Sequence, residues 1–309
     1  MKTIGKINII IVLIGLFFTA CTKDEILREP SPLVSENSKN VFFTKNNVLN
    51  YELEPTDPTK ITVTVAREKS QGAATAAIKV LSNSENVFNI PASVTFADGV
   101  DTTTFEVSFP TAAEGIKYSF EVSFDGEQLN PYLLKTTTIS KSVTRLKWDV
   151  VGEGQFYDTW TLYSAPKIQI QYSALKKTYR FASPYSRALL VEAEWDNWIG
   201  GPTTDYIKFQ ITPADKVTYT SWYVGLNYQG NEGQPVQAFF PSYLGDIRNV
   251  TTYDVEDAKS IVKEKDANGK PLLLEIQPRI YIIGVGGYGL KKMYISFPGG
   301  PDLKTLLGL

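Results

Sequence analysis

The segment Lys60–Ala66 (KITVTVA) alternates polar and apolar residues almost without a break, and the same period of two recurs in short runs of Val, Ile, Thr, Phe and Tyr along most of the chain. Successive side chains of a strand point to opposite faces, so each such run buries one face and wets the other. Runs at Ala76–Val80, Ser93–Phe96, Thr103–Phe109 and Tyr118–Phe124 follow at hairpin spacing, separated by Gly, Pro, Asn and Asp clusters. This pattern predicts antiparallel sandwiches. Six or seven strands fit residues 39–143, with a last strand over Leu134–Ser140 and a boundary near Lys141–Lys147. The remainder, 144–309, carries all five tryptophans and reads as a second β-rich domain, sandwich or barrel-like. A chain of 309 residues exceeds what one ordinary core organises, which agrees with two domains. One short helix is expected where Asp254 can cap and Val255, Ala258, Ile261 and Val262 share a face. Residues 265–270 (KDANGK) then read as a tight turn into an apolar strand, Leu272–Ile276.

Two absences narrow the chemistry. There is no histidine, which excludes Ser-His triads and His-ligated metal sites. The single cysteine, Cys21, allows no intrachain disulfide and no thiolate cluster, so stability must come from packing. No cofactor, metal site or catalytic residue is therefore assigned. The formal charge of −2 offers no basic face for nucleic acid. Gly284–Gly289 (GVGGYG) matches the spacing of a dinucleotide-binding loop, but Lys292–Phe297 (KMYISF) reads as a strand where that loop needs a helix. A glycine-rich hairpin or bulge is expected there instead.

The first residues have a separate logic. Met1–Lys6 is short and basic, and 7–18 is an apolar run broken only by Asn8 and Gly15, too short to span a membrane. It ends in Thr19, Ala20 and Cys21, which resembles the lipobox of bacterial lipoproteins, with Phe18 where Leu is usual. The resemblance implies a signal peptide over 1–20 and a mature chain that starts at an acylated Cys21, with palmitate-like chains in the membrane. Each buried methylene contributes roughly 0.8 kcal/mol, so two or three chains give a persistent anchor. Lys23, Asp24 and Glu25 resemble the export signal of Bacteroidetes-type surface lipoproteins, implying an outer-membrane protein that faces the cell exterior among other outer-membrane proteins. Residues 21–38, with Pro30, Ser31 and Pro32, read as a tether.

Phe88–Gly99 (FNIPASVTFADG), followed by Thr104–Phe109, resembles the immunoglobulin-like Calx-β domains and their relatives at the N-termini of Bacteroidetes lipoproteins, in which this stretch ends one strand and turns into the next. The implied class is all-β: an immunoglobulin-like β-sandwich, then the second β-rich domain with one short helix. Calcium is not carried over, because Glu52, Glu54 and Asp57 are scattered. In the second domain, Val151–Asp158 (VGEGQFYD) and Thr178–Tyr185 (TYRFASPY) resemble a "GxGxYxD" then "YRxxNPY" pattern of uncharacterised Bacteroidetes surface lipoproteins, with Ser183 in place of Asn.

Trp195, Trp198, Tyr206, Trp222, Tyr223 and Tyr228 are interleaved with Asn197, Asp205, Asn227 and Gln229. A pyranose packs its C–H face on an aromatic ring and pairs its hydroxyls with amides and carboxylates at the rim. Trp195, Trp198, Trp222 and Tyr223 are the candidate glycan contacts, and Trp148 and Trp160 are expected in the core. The leading expectation is non-catalytic glycan binding in a polysaccharide-utilisation system. A structural or adhesive protein that binds other proteins is the alternative. A glycoside hydrolase using Glu192, Glu194 or Asp196, which alternate along one strand-like segment, is the third reading.

Overall fold

The computed structural model describes residues 31, 35–36, 38–124, 126–130, 132–162, 164–185, 199–200, 206–228, 234–239 and 260–309. The fold is nearly all β. In the first unit the alternation becomes eight strands among the described residues: β1 (Val41–Phe43), β2 (Asn50–Leu53), β3 (Lys60–Arg67), β4 (Ala74–Asn83), β5 (Ser93–Phe96), β6 (Thr102–Ser108), β7 (Lys117–Phe124) and β8 (Thr138–Arg145). They form one sheet in the order β1-β3-β6 and another in the order β2-β8-β7-β4-β5. Val63, Val65 and Val107 from the first sheet and Phe120, Val122 and Val143 from the second are fully buried between them. Each such side chain contributes about 1.5–3 kcal/mol relative to exposure. Phe43 on β1 stacks on Phe124 of β7, ring centroids 4.5 Å apart, and so ties one sheet to the other. The last strand begins at Thr138 rather than Leu134, which is fully exposed, because the apolar alternation in register with β7 starts only at Ile139.

The turn after β5 behaves as the sequence pattern suggests. Gly99 adopts φ +76, a left-handed conformation that glycine takes without steric cost. Arg67 is buried beside it, and its guanidinium donates to the carbonyls of Ser70, Gly72, Ala97 and Val100 at 2.6–2.7 Å while lying over the Phe96 ring. The turn before β4 and the turn before β6 are clamped together by this side chain and by the Gly99 amide donating to the Ser70 carbonyl and the Gly72 amide to the Asp98 carboxylate.

The second unit comprises β9 (Asp149–Asp158), β10 (Lys167–Ser173), β11 (Thr178–Ala182), β12 (Ile199–Gly200), β13 (Tyr206–Ile211), β14 (Val217–Tyr219), β15 (Trp222–Tyr228), β16 (Gln234–Phe239), β17 (Ile261–Lys265), β18 (Pro271–Ile276), β19 (Arg279–Ile282), β20 (Gly286–Leu290) and β21 (Met293–Ser296), then the helix α1 (Leu303–Leu307). Eight strands pair in the order β14-β13-β11-β10-β9-β21-β18-β17. The two outer strands meet through a Lys216–Ile261 bridge, the Val217 amide donating to Ser260 at 2.8 Å and the Val262 amide to Asp215 at 2.9 Å, which curls the sheet into a nearly closed barrel. The interior is filled by Phe156, Ile170, Phe181, Phe209, Leu274 and Ile295. A second sheet, β12-β15-β16-β19-β20, packs Trp222, Val224, Ala238 and Ile280 into the same core.

Gly154 is required by close approach: a Cβ there would lie 2.2 Å from the Ser296 carbonyl oxygen across the β9–β21 ladder. The glycine-rich segment Gly284–Gly289 forms the expected hairpin, with β19 and β20 antiparallel and Val285 at the tip. The helix expectation needs correction. Ile261 and Val262 sit in β17, paired with Glu275 and Leu274 of β18, because the turn at 265–270 extends into a hairpin and draws these residues into the ladder; 254–259 lie outside the described residues. Among the described residues the α-helix is α1, whose start is capped by the Asp302 carboxylate accepting from the Thr305 amide at 2.8 Å.

Candidate functional site: the cleft between the two units

Strand register builds one polar row. Gln171 of β10 lies opposite Arg180 of β11, which lies opposite Lys208 of β13, all on the outer face of the barrel wall because their neighbours Ile170, Phe181 and Phe209 fill its inside. Cross-strand neighbours on one face are near enough to interact directly. The Arg180 Nε donates to the Gln171 amide oxygen at 2.8 Å, which fixes the guanidinium plane.

Two rings close on that plane. The Arg180 guanidinium carbon is 4.0 Å from the centroid of Trp148, in the segment between β8 and β9, and 3.9 Å from that of Tyr206 at the start of β13. A cation stacked on a ring face and shielded from water is held by about 2 kcal/mol. Arg180 is itself buried.

The first unit supplies the counter-charge. Glu54, just beyond β2, accepts from Arg180 Nη1 at 2.8 Å, from Lys208 Nζ at 2.6 Å and from Trp148 Nε1 at 2.9 Å. Burial pushes the Glu54 carboxyl up, but the bonds from Lys208 and Trp148 and the charges of Lys208 and Arg180 outweigh it and hold it below the usual carboxylate range. Glu52, on the same face two residues earlier, pairs with Lys176 in the β10–β11 turn. Acids of the first unit thus face bases of the second.

An open cleft of about 500 Å³ adjoins this network, lined by Glu54, Tyr206, Lys208, Thr220, Ser221 and Tyr223 among others. A second hollow of about 430 Å³ shares Lys208 and Thr220 with it and continues past Trp148, Thr178 and Gln210. Tyr206 is 38% exposed and lines the cleft while Arg180 covers one face of its ring. The site offers an aromatic ring, hydroxyls, an amide and charges of both signs. That set suits a polyhydroxylated ligand and provides no pair of carboxylates facing each other for acid–base hydrolysis among the described residues.

The residues singled out from the sequence are divided by the structure. Tyr223 lines the cleft, half-buried. Trp222, expected at the surface, is only 5% exposed: alternation along β15 turns it and Val224 into the core, edge-on to Tyr219, so it gives the cleft floor little more than its edge. Trp148 and Trp160, expected in the core, are half-buried, Trp148 because it serves as the stacking partner of Arg180. Cys21, Lys23, Asp24, Glu25, Trp195, Trp198, Glu192, Glu194 and Asp196 lie outside the described residues. Sequence reasoning misses Arg180, Lys208 and Glu54 as a site. The period-two placement of Glu52 and Glu54 was a visible signal, but it did not say what they would face.

No family model matches the chain, and no curated protein matches it. Two solved structures are similar in outline. One is a structural-genomics protein of unknown function from Bacteroides ovatus, 9% identical, with 84% of this chain and 93% of that chain covered at a TM-score of 0.26. The other is CBD12 from CALX1.2, 14% identical, with 71% and 90% covered at a TM-score of 0.29. Likeness this loose has no bearing on function.

Proposed function

We propose that the protein is a lipid-anchored surface protein of the outer membrane, held through Cys21 with Lys23, Asp24 and Glu25 as its export signal, and that it binds a glycan without cleaving it. The binding site in this reading is the cleft between the two units. The observation that carries it is the Tyr206 ring, partly exposed beside the Arg180 guanidinium that covers one face and flanked by Glu54, Lys208, Thr220 and Ser221 in one cleft. A sugar face packs on the ring, and its hydroxyls pair with the polar rim.

The test uses the soluble 22–309 form in calorimetric titrations against a panel of plant and host polysaccharides. Saturable binding that falls about tenfold or more in Tyr206→Ala, as loss of one stacked ring implies, supports the reading. Binding by no member of the panel, or binding indifferent to Tyr206→Ala and Lys208→Ala, overturns it, and release of reducing ends overturns its non-catalytic part. Loss of radiolabelled palmitate in Cys21→Ala tests the anchor separately.

A further inference from the structure

We infer that the mouth of the second-unit barrel is a separate binding site for one neutral hexose ring. Six adjacent strands bring the same end to this place: β10, β18 and their neighbours β11, β9, β21 and β17 are antiparallel in turn, so the end of one adjoins the start of the next. A hollow of about 280 Å³ opens there. Its wall is aromatic. Tyr172 and Tyr179 are register partners with centroids 4.6 Å apart, and Phe297 stands edge-on to Tyr179 at 5.3 Å.

Below this layer the barrel is closed by Ile170, Leu274 and Ile295, none of them exposed. The hollow is therefore shallow, one ring deep, and cannot admit an acyl chain. Its polar groups are few and placed. Asp266 Oδ1 accepts from the Asn268 amide at 2.8 Å and the Lys270 amide at 2.9 Å, which pins the carboxylate at the rim and leaves Oδ2 without a partner among the described residues. The phenol oxygens of Tyr172 and Tyr179 and the Lys270 ammonium likewise have no hydrogen-bond partner among the described residues. Burial pushes the Tyr179 phenol up, so it stays protonated and able to donate.

A hexose answers each of these groups. Its C–H face packs against the Tyr172 side of the wall, neighbouring hydroxyls donate to the open Oδ2 of Asp266, and the phenols and ammonium donate to its oxygens. One acid and one base cancel at the rim, which removes any preference for a charged ligand. The inference does not rest on the cleft between the units, since no residue of the hollow lines that cleft.

The probes are the methyl glycosides of glucose, galactose and mannose, followed by saturation-transfer NMR and by titration on the 22–309 form. At least one is expected to saturate, with affinity falling about tenfold or more in Asp266→Asn and in the double variant Tyr172→Phe/Tyr179→Phe, since each removes hydrogen bonds to a charged or buried group. Asn keeps the Oδ1 acceptor and Phe keeps the rings, so folding is preserved and can be verified by the melting temperature. Binding is expected to be unchanged in Tyr206→Ala. If none of the three binds, if affinity is indifferent to these variants, or if Tyr206→Ala abolishes it, the inference falls. A failure of the polysaccharide titration at Tyr206 leaves these outcomes unaffected.

Discussion

The Tyr185 hydroxyl donates to the Asp158 carboxylate at 2.6 Å inside the second-unit core, where neither residue is more than 1% exposed. The two residues end the two sequence patterns of this unit, so what reads as two separate motifs is one buried bond between the end of β9 and the segment after β11. Asp158 also accepts from the Trp160 amide at 2.9 Å and the Thr161 hydroxyl at 2.7 Å, which shapes the turn that leaves the strand. Tyr185→Phe keeps the ring and removes one charge-assisted bond. A loss of about 1.5–3 kcal/mol in urea unfolding is expected. A cost indistinguishable from zero would mean that the bond is not formed in solution.

Arg67 satisfies four carbonyls with one guanidinium. In Arg67→Ala those oxygens lose their buried donor, and a penalty of about 3 kcal/mol or more is expected, concentrated in the first unit. Hydrogen exchange at 70–72 and 97–100 is the local readout, and unchanged protection there would refute the clamp.

Glu54 couples stability to acid pH with a definite sign. Its carboxyl is held below the usual range in the folded chain, so its contribution is fully present above the unfolded pKa and is lost as pH falls through the folded one. Glu54→Gln removes that dependence. The difference in melting temperature between the parent and Glu54→Gln is therefore expected to shrink on acidification below about pH 4. Added salt weakens the Arg180–Glu54 pair only modestly, since Arg180 is buried, and screens the more exposed Lys208–Glu54 pair more. A pH-independent difference would show that the carboxylate charge is not what holds the cleft together.

Lys141 lies buried in β8, its ammonium donating to the Val48 carbonyl and 5.4 Å from the Tyr51 ring centroid. Burial lowers its pKa to about 8. A lysine depressed in the folded state burdens folding below that value, and the burden lifts as pH rises from about 8 towards the unfolded value near 10.4. Relative to Lys141→Met, which lacks this titration, the parent chain is expected to gain stability between pH 7.5 and about 9.5. Parallel stability curves for the two proteins would rule this out.

Gly154 has no room for a side chain. Gly154→Ala places a methyl against a backbone oxygen, which can move only by parting β9 from β21. A destabilisation of about 1–3 kcal/mol is expected from overpacking of this kind, read as a lowered urea midpoint. A neutral outcome would show that the ladder yields there.

The alternation at Lys60–Ala66 determined β3 and its buried face without reference to anything distant, because strand side chains alternate with a period set by backbone geometry alone. The same local logic gave the hairpin at Gly284–Gly289 and the strand after residue 270. Composition determined what the chemistry could not be, since a chain without histidine and with one cysteine lacks those ligands in any fold.

Only the tertiary structure decided where Trp222 points, for period two says which residues share a face but not which face meets a core. The same limit hid the cleft. Glu54 and Arg180 are 126 positions apart, and neither has a local pattern that names the other. Their meeting depends on the register that aligns Gln171, Arg180 and Lys208 and on the packing that brings β2 to that row. Likewise Ile261 and Val262 carry a helical spacing, yet pairing with β18 satisfies their backbone groups, and a short isolated turn of helix has no tertiary partner to offset its nucleation cost. Local periodicity sets the elements; long-range pairing, whose free energy appears only when distant strands meet, sets the site.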